Sequence, residues 1–126
     1  MFDLDHFKNI NDTHGHLVGD QALQVLVRTV SGELREGDIL ARFGGEEFLV
    51  LLPMAPRDAA SQLVERLRCA ISAIELRDGD TPVLLRASFG VAELAADEGV
   101  AGWLRRVDLA MYQAKEAGRN RVINAE

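Results

Sequence analysis

The chain has a single cysteine, Cys69, so an internal disulfide is excluded. Such sparing use fits a reducing compartment, and the cytoplasm is the expected location. No apolar run approaches the roughly 20 residues that span a bilayer, so no membrane segment is expected. The apolar start at Met1 is short and interrupted by Asp3 and Asp5, and no signal peptide is expected either. Positive charge is also in deficit: 14 Lys and Arg stand against 20 Asp and Glu, a net charge of −6. General binding to DNA, RNA or anionic membranes is therefore disfavoured. A polyanion is bound by such a chain only where a metal and a few basic residues gather at one site. Internal repeats, low-complexity tracts and linkers are lacking too. What is present is 126 residues, 48% hydrophobic and 27% charged. That composition describes one globular domain over 1–126, long enough to bury a core.

The chain opens on Met1-Phe2-Asp3-Leu4, alternating apolar and acidic like the end of a strand. Asp5 is expected to N-cap a short helix over about His6 to Thr13, stopped by Gly15. A second helix is expected from Gly19-Asp20, with Leu23, Leu26, Val27, Val30 and Leu34 at helical spacing. Gly37-Asp38 then turns the chain into two strands, Ile39 to Phe43 and Phe48 to Leu52. A third helix over about Arg57 to Glu75 carries the stripe Ala60, Leu63, Val64, Leu67, Ile71 and Ile74. Asp78-Gly79-Asp80 marks a turn, Val83 to Glu93 a strand, and Val100 to Ala117 a fourth helix ended by Gly118. Arg121 to Asn124 fits a short last strand. This order predicts an α+β fold, sandwich-like, with helices flanking a mainly antiparallel central sheet.

The stretch Arg42-Phe43-Gly44-Gly45-Glu46-Glu47-Phe48 places two carboxylates at the tip of the hairpin. Its glycines permit positive φ and leave room for a ligand to approach the backbone. If the Asp3 strand pairs with this hairpin, Asp3, Glu46 and Glu47 converge on one sheet edge. Clustered carboxylates repel unless a cation shares them, and a hard cation such as Mg²⁺ suits them. The competing reading makes the tip an ordinary solvated turn and the aspartates helix caps. Lys115 and Arg119, four apart at a helix end, can clamp phosphate oxygens, or merely complement the helix dipole. Lys8 has the same two readings. Asn11 and Asp20 can read a guanine edge, or serve as turn formers and caps. His14 and His16 lack the further ligands of a zinc site.

These motifs together resemble those of GGDEF domains. The resemblance rests on Phe2-Asp3-Leu4-Asp5-His6-Phe7-Lys8-Asn9-Ile10-Asn11-Asp12, Gly15-His16, Gly19-Asp20 and Gly44-Gly45-Glu46-Glu47-Phe48. It continues through Ser88-Phe89-Gly90-Val91-Ala92, Asp108, Tyr112-Gln113-Ala114-Lys115 and Gly118-Arg119-Asn120. The order matches along nearly the whole chain. The family's usual helix and loop ahead of the first strand have no counterpart here, and the domain is expected to be N-terminally truncated relative to its family.

The resemblance implies a diguanylate cyclase, condensing two GTP into cyclic di-GMP with release of two pyrophosphates. It implies a fold similar to adenylyl cyclase and polymerase palm domains. Asp3, the Leu4 carbonyl and Glu46 would hold Mg²⁺ or Mn²⁺, and Glu47 would assist the metal or the 3′-hydroxyl. Gly44 and Gly45 would admit the triphosphate; Asn11 and Asp20 would read guanine; Lys8, Lys115 and Arg119 would bind phosphates. The product would require a second GGDEF domain, as a catalytic homodimer. Arg35-Glu36-Gly37-Asp38 fits the family's RxxD inhibitory pattern, so Arg35 and Asp38 would bind product, with Arg66 or Arg68 as further contacts. The alternative function is a non-catalytic module that binds cyclic di-GMP or GTP.

Overall fold

The computed structural model describes residues 1–126, and the central strand of its main sheet is only three residues long. Strand β1 (Phe2–Leu4) lies third in a five-stranded sheet of order β2-β3-β1-β6-β7. The other strands of that sheet are β2 (Ile39–Arg42), β3 (Glu47–Leu51), β6 (Ala87–Val91) and β7 (Val122–Asn124). β1 runs antiparallel to both β3 and β6, β2 is antiparallel to β3, and only β7 is parallel to its neighbour β6. All three residues of β1 are buried, because helices cover both faces of the sheet there.

Alternation along β1 decides what each face receives. Phe2 and Leu4 point into the larger core, with Leu26 and Val30 of α2 (His16–Glu33) and Val64, Leu67 and Ile71 of α3 (Arg57–Ser72). Phe2 lies opposite Phe48 on β3 and Phe89 on β6, with ring centroids 5.2 Å and 4.8 Å apart. Three phenylalanines thus form a row across the three middle strands. Met1 falls on the other face, in a smaller cluster with Val107 and Met111 of α4 (Val100–Glu116). Asp3 shares that second face, which is why it meets α4 and not the main core.

The expected α+β class and mainly antiparallel sheet are present, and several boundaries move. α1 occupies Phe7–His14, and Gly15 with φ 88 separates it from α2, which begins at His16 and not near Gly19. Asn11 therefore lies on a helix. The expected strand from Val83 to Glu93 is two strands in different sheets. β5 (Thr81–Val83) pairs with β4 (Leu76–Asp78) in a separate hairpin around Gly79, and β6 starts only at Ala87. The continuous apolar run concealed this break, since Leu84 is 69% exposed while Leu85 is buried. No helix is long and apolar enough to cross a membrane.

Asp5 requires a larger correction. It does not cap α1, whose N-cap is His6 in the left-handed conformation without a side-chain bond. Its carboxylate turns inward, accepting hydrogen bonds from the Ser88 hydroxyl at 2.7 Å and the Asn120 N–H at 2.9 Å. A buried carboxylate is held by whichever donors surround it, and here those donors come from β6 and the turn after α4.

Gly90 sets the distance between the sheet and α4. A Cβ there would collide with the Val107 carbonyl oxygen and press on the Met111 nitrogen at 2.5 Å, both helix backbone that cannot swing aside. Gly90→Ala is expected to push α4 off β6 and lower stability by about 1–3 kcal/mol, read as a reduced urea midpoint. An unchanged midpoint would show that α4 floats on the sheet and is not seated on it.

Candidate active site

The β2–β3 hairpin pairs Arg42 with Phe48 and leaves Phe43 to Glu46 as its connection. The N–H groups of Phe43 and Gly44 both donate to the Glu47 carbonyl, at 2.7 and 3.0 Å. Arg42 then reaches over the turn, its Nε donating to the carbonyls of Gly44 at 3.1 Å and Gly45 at 3.0 Å. Neither Gly44 nor Gly45 has a left-handed φ, so the expectation that they supply positive φ is not met. The Arg42 fork and the two amide bonds hold the turn without it. Their contribution is steric: a Cβ at Gly45 would meet nothing, and both residues expose bare backbone.

Register brings the acidic residues to this hairpin. Asp3 lies directly opposite Glu47, and the Leu4 N–H donates to the Glu46 carbonyl at 3.3 Å. Lys115, in the last turn of α4, places its Nζ 2.7 Å from Asp3 Oδ2. The other oxygen, Asp3 Oδ1, is buried without any hydrogen-bond partner. Burial pushes the Asp3 carboxyl above the ordinary range; Lys115 opposes the shift, and Glu46 and Asp5 add to it. Glu47 is raised by burial first and then by the negative charges of Asp108, Asp3 and Glu46, with Lys115 again opposing.

No three acidic or imidazole side chains are gathered around a single point that would hold a metal ion. Strand register thus brings Asp3, Glu46 and Glu47 to one sheet edge without gathering their side chains around a common point, and the Lys115 ammonium lies against Asp3. The residues nevertheless fit a hard divalent ion. An orphaned buried carboxylate oxygen lies beside two further carboxylates, and all of these donors are oxygen.

The remaining candidates fall into groups. Asn11 is half-buried on α1, its Oδ1 lacks a partner, and it packs so closely on Gly19 that a Cβ there would strike it. Asp20 follows Gly19 in α2 and is exposed. Lys8 is exposed on α1 and makes no ion pair. Arg119 is exposed, with φ 65, just beyond α4. Arg35 and Asp38 are engaged with each other through Nη2–Oδ1 at 3.0 Å and Nε–Oδ2 at 3.3 Å. This pairing holds the Asp38 carboxyl below its usual range, although the Arg35 side chain remains 57% exposed. Arg66 is paired with Glu33 at 3.3 Å and Arg68 with Glu65 at 2.6 Å, so neither offers a free fork. Sequence reasoning missed the Arg42 tie, the Lys115–Asp3 pair and the bonds of Asp5. Of these only Arg42 had a local signal, its position beside the glycines.

Comparison with known proteins identifies the family. The family model described as "Diguanylate cyclase, GGDEF domain" matches residues 1–121. The chain is a GGDEF domain. It is 43% identical over 122 residues to diguanylate cyclase DgcP of Pseudomonas aeruginosa, covering 97% of this chain and 18% of that protein. It is 41% identical over 125 residues to diguanylate cyclase DgcM of Escherichia coli, covering 99% of this chain and 30% of that protein. The chain thus spans a third or less of these relatives' length. Among solved structures, the GGDEF domain of DgcB from Caulobacter crescentus in complex with c-di-GMP superposes with a TM-score of 0.94 at 34% identity. That match covers 99% of this chain and 73% of the other. The active GGEEF domain of a diguanylate cyclase from Vibrio cholerae gives 0.87 at 32% identity, covering 99% of this chain and 80% of the other. Its GGEEF signature is the spelling found here at Gly44-Gly45-Glu46-Glu47-Phe48.

The Lys115–Asp3 pair yields a pH-dependent prediction for this GGDEF domain. Lys115→Met leaves Asp3 buried and uncompensated, and is expected to cost about 1–3 kcal/mol at neutral pH. Without the ammonium, the folded-state pKa of Asp3 rises further above its unfolded value. The penalty then exists above that folded pKa and disappears as pH falls through it. Denaturant midpoints of the variant and the parent should therefore converge between pH 7 and pH 4. A gap that stays constant would show that the pair carries no electrostatic weight.

Proposed function

We propose that this GGDEF domain condenses two GTP molecules into cyclic di-GMP, releasing two pyrophosphates. The observation that carries the proposal is the strand register that sets Asp3 opposite Glu47 beside the Glu46 main chain, with Lys115 on Asp3 Oδ2 and Asp3 Oδ1 unpartnered. Opposed carboxylates beside a lysine form a place where phosphate and a divalent cation can be taken up together. Asp3, the Leu4 carbonyl and Glu46 would hold Mg²⁺ or Mn²⁺, which when bound would supply neutralisation of phosphate charge and polarisation of the α-phosphate.

The chain's own residues do the rest. Asn11 and Asp20 receive the guanine edge, Asp20 accepting from its N–H groups. The exposed backbone of Gly44 and Gly45 lies along the triphosphate, and Lys8, Lys115 and Arg119 bind its oxygens. Lys115 exchanges Asp3 for phosphate when the nucleotide arrives. The 3′-oxygen of one GTP attacks the α-phosphate of the other, forming a P–O bond as the bond to pyrophosphate breaks. Glu47, its carboxyl raised by burial, takes the 3′-proton. One domain holds one GTP, so two domains must face each other, and positioning the second reactant dominates the rate. Arg35 and Asp38 form a separate product-binding site that inhibits the enzyme once a ligand separates their ion pair. The supply of GTP suits a bacterial cytoplasm.

Incubation with GTP and Mg²⁺ across a range of protein concentrations tests this reading. Specific activity is expected to rise with concentration as pairs of domains form. Tight binding of cyclic di-GMP with no synthesis at high concentration would replace the enzyme with a binding module. Glu46→Ala should lower synthesis by about 100-fold or more while cyclic di-GMP still binds. Arg35→Ala should do the reverse, retaining synthesis and abolishing its inhibition by added product. Inhibition that persists in that variant would remove Arg35 and Asp38 from the regulatory role.

A further inference from the structure

The proposed mechanism leaves Asp5 unused, although it is only 6% exposed and has two hydrogen-bond donors from distant segments. Oδ1 accepts from Ser88 on β6, and Oδ2 accepts from the main-chain N–H of Asn120, 115 residues away. Asn120 belongs to the turn that follows α4, where Gly118, Arg119 and Asn120 have φ of 120, 65 and 47. Three successive residues are therefore left-handed, and two of them are not glycine. A Cβ resists that region, so the conformation persists only where its surroundings over-determine it.

The surroundings here do so from several directions. The Asn120 side-chain oxygen accepts from Arg68 Nη1 at 3.1 Å and Ser72 Oγ at 3.3 Å, both on α3. The Arg119 N–H donates to the Ala114 carbonyl at 2.9 Å, and the Arg119 carbonyl accepts from Arg121 Nε at 3.0 Å. The main chain of Arg119 is thus pinned on both sides while its side chain stays exposed. Asp5, the residue next but one after Asp3 and just past the end of β1, ties this turn to the chain that leaves the central strand.

We propose that Asp5 is a positioning residue for triphosphate recognition. Its carboxylate locks the Arg119–Asn120 turn in the left-handed conformation that keeps the Arg119 guanidinium at the end of α4 bearing Lys115. The proposal rests on the nucleotide reading above and assigns Asp5 no contact with the nucleotide. Loosening the turn therefore weakens recognition of the β- and γ-phosphates and leaves recognition of the base intact. An asparagine at position 5 preserves the arrangement: its oxygen accepts from Asn120, and its amide donates to the Ser88 hydroxyl, which serves as donor or acceptor.

Calorimetric titration with a GTP analogue carrying a non-cleavable α–β linkage, and separately with GMP, both with Mg²⁺, tests the role. In Asp5→Ala the ratio of the two affinities is expected to fall about 10-fold, through weaker binding of the triphosphate alone. Asp5→Asn should restore the ratio, and Asp5→Ala should add nothing in an Arg119→Ala background. In the unliganded wild-type chain, the Asn120 amide should be protected from hydrogen exchange, a measurement that stands if Asp5→Ala does not fold. A folded Asp5→Ala chain with the wild-type ratio, or an Asn120 amide that exchanges like an open turn, would overturn the proposal. A wild-type chain that binds neither nucleotide would instead overturn the functional reading, and this role with it.

Discussion

Two carboxylates close together at the end of a buried central strand must be compensated, and much of the molecule is arranged around that compensation. Asp3 and Asp5 leave β1 on the face that α4 covers, and both are less than a tenth exposed. Desolvated charge is costly unless paired, so each draws a distant segment inward. Asp3 takes Lys115 from the end of α4, and Asp5 takes Ser88 from β6 and Asn120 from the turn beyond α4. The same pairs fasten α4 and its following turn to the sheet at the place where the candidate site lies.

Ion pairing within the resting molecule also sets what a ligand must do. Lys115 is held by Asp3, and Arg35 by Asp38 and the Pro53 carbonyl. In the proposed function both sites work by exchange: a phosphate draws the lysine away from its carboxylate, and product separates an arginine from its aspartate. An acidic chain can bind polyanions in this way without a standing positive surface. Lys115 and Arg35 are stored against carboxylates until a stronger partner arrives, while Lys8 and Arg119 stand free.

Much of this was legible in the sequence because it depends on short-range pattern. The hairpin followed from two apolar runs broken by Gly44-Gly45, and α3, which ends at Ser72, from the apolar stripe that runs from Ala60 to Ile74. The errors fell where local pattern has no authority. Leu84 and Leu85 look alike in sequence, yet one faces solvent and the other the core, and the strand breaks between β5 and β6. Asp5 has the form of a helix cap, but Ser88 and Asn120 compete for it from far along the chain. Gly44 and Gly45 look like residues chosen for backbone freedom, and serve instead as residues without side chains.

The sequence by itself determined the elements, the membership in a family, and which residue types carry the chemistry. Alternation along Phe2-Asp3-Leu4 and the glycine-glycine-carboxylate tip are properties of neighbours, and neighbours are what a sequence records. Only the tertiary structure decided partnership. That Glu47 lies across from Asp3, that Lys115 reaches Asp3, and that Asp5 holds the turn of Arg119 depend on strand register and on how closely α4 seats over Gly90. Electrostatic and hydrogen-bond partners are selected by distance in space, and residues far apart in the chain acquire that distance only when the sheet closes.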